Sequence, residues 1–119
     1  MRPERLRRVN EALKAVLSEA IPELTDPRIG FVTVTGVQAT PDLHEATVYL
    51  SVLGSERARE QTLTGLASAR GLLQARVGRE LRLKRTPVIS FQYDQSVERG
   101  VRLSHLIDEL APGDPEPEQ

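Results

Sequence analysis

Residues able to carry out covalent chemistry are scarce in this chain. It has two histidines and no cysteine. Ser104, His105 and Asp108 stand close together, yet neighbours along one helix cannot line up as nucleophile, base and orienting group. His44 lies at the entrance to a strand, far along the chain from His105, and two distant imidazoles without a thiolate make no zinc site. A Walker-type phosphate loop is also missing, which argues against nucleotide hydrolysis. These residue types therefore point away from an enzyme, a metal centre and a bound cofactor.

What the chain does carry is arginine. Of 16 basic residues only Lys14 and Lys84 are lysine, and all sixteen lie before position 103. Five of the 17 acids follow that position, so the formal net charge of −1 conceals a basic body and an acidic end. A planar guanidinium suits bidentate contact with phosphate and stacking on bases. Such an asymmetry fits a nucleic-acid partner, although a compositional preference for arginine would read the same way.

The elements that must position these charges follow from hydrophobic spacing. Leu6, Val9, Leu13, Val16, Leu17, Ala20, Ile21 and Leu24 form one helical stripe, ending between Pro22 and Pro27. The β-branched run Ile29 to Val37 reads as a strand, Thr40 to Leu43 as a turn, and Ala46 to Val52 as a second strand with one buried face. So short a link makes the pair an antiparallel hairpin. Ser55 is placed to cap a helical region running to about Leu83. Pro87 then opens a third strand, Val88 to Tyr93. Asp94 and Ser96 can cap a last helix through Val101, Leu106, Ile107 and Leu110. Residues 111–119, with three prolines and three acids, read as a disordered acidic tail. This order predicts an α+β fold with helices packed on a three-stranded sheet, in one domain covering residues 1–110.

Within the central helical region Leu63, Leu66, Ala67, Leu73, Val77 and Leu81 share one side of a continuous helix. Arg70 would share it too, and a buried guanidinium is costly unless paired. The spacing therefore predicts a break at Ala69-Arg70-Gly71 that turns Arg70 outward, with Gly71 absorbing the unusual angles and tolerating substitution less well than Gly78. Beyond it Arg76, Arg79 and Arg82 fall opposite the apolar stripe, and Lys84 and Arg85 extend the run. Between Ala69 and Arg85 there are six basic residues and one acid, Glu80. Such a face can neutralise phosphates and release counterions, or simply be solvated. Arg2, Arg5, Arg7 and Arg8 form a second cluster at the start of the first helix, where they oppose the helix dipole. They serve either a partner or a mobile basic terminus.

The ordered set Asp26-Pro-Arg28, Val32-Thr-Val-Thr35, Asp42-Leu43 leading into Ala46-Thr-Val-Tyr49, Ala69-Arg-Gly71, and Pro87-Val-Ile-Ser-Phe91 with Asp94 resembles the ribosome-binding factor A family from about Arg5 to Leu110. The resemblance implies a type II KH-like domain in which an Ala-x-Gly kink replaces the usual Gly-x-x-Gly loop, and the chain contains no Gly-x-x-Gly. It further implies a ribosome assembly factor. Such a factor binds the free 30S small subunit, assists late folding and 5′-end processing of 16S rRNA, and helps in recovery from cold. Ala69, Arg70 and Gly71 carry over as the recognition element. Arg76, Arg79, Arg82, Lys84, Arg85, Arg5 and Arg8 are RNA-contact candidates on charge and geometry alone. The family often has longer, basic C-terminal extensions, whereas this tail is short and acidic.

The start of the chain lacks the apolar stretch of a secretory signal, and no run is long enough to cross a bilayer. The expectation is a cytoplasmic protein, a monomer when free, with no membrane partner. Two other readings use the same fold: a protein-interaction module, and a binder of some other RNA. Steep weakening by salt would separate phosphate binding from an apolar interface. Few aromatic residues are present, which favours recognition of RNA shape and backbone.

Overall fold

The computed structural model describes residues 2–95. The last helix and the tail expected beyond Ser96 lie outside the described residues. Helix α1 spans Pro3–Ala20, starting on a proline whose missing N–H is no loss in a first turn. Pro22 cannot continue an α-helical ladder, and the chain passes into a 3-10 turn, Ile21–Glu23, where the sequence suggested helix to Leu24.

Strand β1 spans Val32–Ala39, beginning three residues later than the β-branched run and ending two later. Two local bonds account for the shift. The Gly30 N–H donates to Thr62 Oγ1 at 3.1 Å, and the Ile29 N–H closes a turn onto the Asp26 carbonyl, so this stretch docks on a helix instead of pairing. At the far end the Ala39 N–H donates to Asn10 Oδ1 of α1 at 2.8 Å.

Strand β2 spans Glu45–Val52, and α2 spans Glu56–Ser68. Helix α3 spans Arg70–Leu81, and β3 spans Val88–Tyr93. The sheet order is β1-β2-β3. β1 and β2 form the antiparallel hairpin, while β2 and β3 run parallel, the α2–α3 unit supplying the crossover that parallel strands need. A bulge at Thr35 shifts the register between Val34 and Gly36. Because side chains alternate in a strand, this extra residue lets Val34 and Val37, three apart, both face the core.

Ala46, Val48, Leu50 and Val52 of β2 are buried against the helical layer, with Leu13 and Leu17 of α1, Leu66 of α2, Leu73 and Val77 of α3, and Ile89 of β3. Leu13, Leu17, Val48, Leu50, Leu66, Val77 and Ile89 are completely inaccessible. This aliphatic core, with α1 packed on both β1 and α3, fixes where α3 and its cations stand.

Candidate nucleic-acid interface

The central helical region is two helices. The Ser55 side chain caps the first, accepting from the Ala58 N–H at 3.2 Å. Ala69 separates them with φ −91° and ψ 5°, the bridge region between helix and strand angles. Its N–H still reaches back to the Gly65 and Leu66 carbonyls, and its carbonyl begins α3 by accepting from Leu73. The apolar stripe is thereby re-aimed. Leu66, Ala69 and Leu73 are buried and Arg70 is exposed, whereas Ala67, which a straight helix would bury, faces solvent.

Gly71 does not carry the break. It lies inside α3, its φ is not positive, and a Cβ there would meet nothing within 4 Å. In the helices, steric constraint falls instead on Gly65, where a Cβ would stand 2.7 Å from Ile29 Cγ1, and on Gly78, where it would stand 2.8 Å from Thr86 Oγ1. The expected ranking of Gly71 over Gly78 is therefore reversed, because the unusual backbone angles belong to Ala69. A glycine at an exposed first turn with open space around it leaves the backbone N–H groups approachable by a bulky anion.

The cations of α3 divide by environment. Arg79, Lys84 and Arg85 are exposed. Arg82, also exposed, closes the helix in the left-handed conformation at φ 51°, donating its N–H to the Gly78 carbonyl; its charge suits the negative end of the helix. Arg76 differs. Its guanidinium is paired with Glu23 at 2.7 Å and Glu80 at 2.5 Å, and only 20% of its side chain is accessible.

The loop leading to β1 braces the break from the other side. Asp26 accepts from both the backbone and the guanidinium of Arg28, which hold its carboxyl down at about 2. Arg28 Nη2 also donates to Ser68 Oγ at 3.2 Å, at the last residue of α2. With Glu23 gripping α3 through Arg76, the segment between Glu23 and Arg28 touches both helices flanking Ala69.

Residues far apart in the sequence meet at the opposite end of α3. A groove of about 920 Å³ is lined by Arg2, Arg5 and Arg8 from the start of α1 and by Leu81 and Leu83 from the end of α3. Val9 and Ala12 of α1, Pro41 of the β1–β2 turn and a single acid, Glu4, complete it. The structure thus brings the N-terminal arginines against apolar side chains at the end of α3, a meeting that sequence spacing does not convey. Another contact without a sequence signal is Arg59 of α2 over the ring of Tyr93, 4.5 Å from its centroid.

His44 Nδ1 lies 3.0 Å from Asp42 in an exposed turn, while His105 and its neighbours lie outside the described residues. No helix among the described residues is long and apolar enough to cross a membrane.

The fold and its exposed chemistry define a small α+β protein with arginine-rich surfaces suited to anions. Residues 5–107 match the family model of ribosome-binding factor A, and the chain belongs to that family. The crystal structure of ribosome-binding factor A from Thermus thermophilus is similar, with TM-score 0.67 and 31% identity over 74% of this chain and 94% of that one. The solution structure of a putative ribosome-binding factor A from Thermotoga maritima gives 0.69 and 34%, over 77% and 90%. A Thermus thermophilus homology model, fitted into a cryo-electron microscopy map of a 30S complex, gives 0.60 and 32%, over 71% and 89%.

Proposed function

We propose that this protein binds the free 30S ribosomal subunit through 16S rRNA and acts by binding alone, assisting late maturation of the subunit and processing of the rRNA 5′ end. Family membership supports the ribosomal partner, and the relative fitted into a 30S complex supports the small subunit. The observation that carries the mode of binding is the exposed helix start at Arg70 and Gly71, followed along α3 and its end by Arg79, Arg82, Lys84 and Arg85. In this reading Ala69-Arg70-Gly71 serves in place of a KH-type loop, and residues 1–110 form the RNA-binding unit. Phosphates approach the open backbone at Gly71 while the guanidinium groups neutralise neighbouring charge, a mode that reads RNA shape more than sequence. Arg5 and Arg8 extend the contact from α1.

The test is binding to isolated small subunits beside intact ribosomes, together with the 5′ end of 16S rRNA in cells depleted of the protein. Selective association with the small subunit and accumulation of 5′-extended rRNA are expected. Association with neither particle at low salt would contradict the proposal.

A further inference from the structure

Resting on the RNA-binding reading, we infer that the groove between the start of α1 and the end of α3 is a second site, for a short single-stranded RNA segment. By helix rise it lies roughly 16 Å along α3 from Arg70, so it is separate from the helix break. Its lining combines two chemistries. Arg2, Arg5 and Arg8 are exposed, and Val9, Leu81 and Leu83 are half-buried apolar side chains within reach of the same ligand.

Fold stability does not account for the arginines. They crowd the positive end of α1, where acids are preferred and where no side chain caps the helix. Their common direction is the groove. A duplex would present mainly phosphates and sugars, leaving the apolar residues nothing to cover. An acidic peptide such as residues 108–119 would use the arginines but brings a single large aliphatic side chain, Leu110, to Leu81 and Leu83. An unpaired RNA strand carries anionic phosphates and flat, largely apolar base faces together, and guanidinium planes can stack on bases where aromatic rings are missing. The volume, about 920 Å³, is at the top of the range of roughly 300–1,000 Å³ for enclosed ligand sites, ample for more than one unstacked base.

The experiment is fluorescence anisotropy of the full-length protein with an unstructured RNA heptamer, a hairpin duplex of equal phosphate count, and a peptide of residues 108–119. Wild type and Arg5→Gln/Arg8→Gln are compared. The heptamer should bind at least tenfold more tightly than the duplex or the peptide. The double variant should weaken it at least tenfold and reduce the log–log salt slope by about 1.4, the value for two phosphates on a single strand. Both positions are exposed, so an unchanged melting curve will show that the fold is intact. A duplex bound as well as the heptamer overturns the inference, and so does tighter binding of the peptide, which would assign the groove to the chain's own acidic end. Absence of heptamer binding while small subunits are still bound overturns the groove site alone. Absence of both removes the RNA-binding reading as well.

Discussion

Arg76 donates to Glu23, 53 residues earlier in the chain, at 2.7 Å. The same guanidinium grips Glu80 one turn further along α3, so this cation ties α3 to the turn that follows α1. Its charge is largely spent within the protein, unlike that of its exposed neighbour Arg79. Arg76→Gln should therefore lower Tm by a few degrees, while Arg79→Gln leaves Tm unchanged. Binding to RNA should respond in the opposite order. Thermal melts paired with anisotropy on the same two variants check this.

The glycines offer a second separation of stability from function. Gly71 has open space and ordinary helical angles, so Gly71→Ala should stabilise the fold by about 0.4–1 kcal/mol. It should also weaken small-subunit binding, because a methyl group would stand where a phosphate must approach. Gly65→Ala, facing Ile29 Cγ1 at 2.7 Å, should instead destabilise by about 1–3 kcal/mol through overpacking. Denaturant unfolding of both variants, with binding measured on Gly71→Ala, gives the comparison.

Two surface turns should resist acid. The Arg28 guanidinium and N–H hold Asp26 at about 2, and the Thr40 hydroxyl with the His44 N–H does the same for Asp42, against an ordinary 3.8. A carboxylate whose folded value is depressed contributes stability that is complete above the unfolded value and is lost as pH falls through the folded one. Both contributions should hold above about pH 4 and disappear towards pH 2. NMR titration of the two side-chain carboxyl carbons measures the midpoints directly, and Asp26→Asn should flatten its share of the acid dependence.

The core offers the simplest check on the packing. Leu66 is fully inaccessible at the junction of α2 with the sheet. Leu66→Ala should cost about 2–5 kcal/mol, whereas Leu72→Ala on α3, 70% exposed, should cost little. Urea midpoints of the two variants measure the difference.

Much of this fold is legible in the residues because aliphatic spacing is strict. The alternation from Ala46 to Val52 places β2, and the conflict between Arg70 and its apolar neighbours locates the helix division within a residue. What spacing cannot convey is which atoms absorb a distortion: Gly71 is the permissive residue, yet Ala69 takes the angles because they need no positive φ. The docked turn before β1 depends on Thr62, over thirty residues away, which moves the strand start from Ile29 to Val32. Charge shows the same limit. Arg76 and Arg79 look alike in sequence, and only the placement of Glu23 separates them. The groove joins Arg5 and Arg8 to Leu83 through tertiary packing, for which local patterning carries no signal.

In the proposed mode of binding, the exposed cations of α3 and its end hold RNA of the small ribosomal subunit. Co-sedimentation with isolated 30S subunits across a salt series, comparing wild type with Arg79→Glu/Lys84→Glu, tests it most directly. Saturable binding whose log affinity falls linearly with log salt is expected, together with its loss in a variant that melts like wild type. Binding indifferent to salt, or retained in full by the double variant, would contradict it.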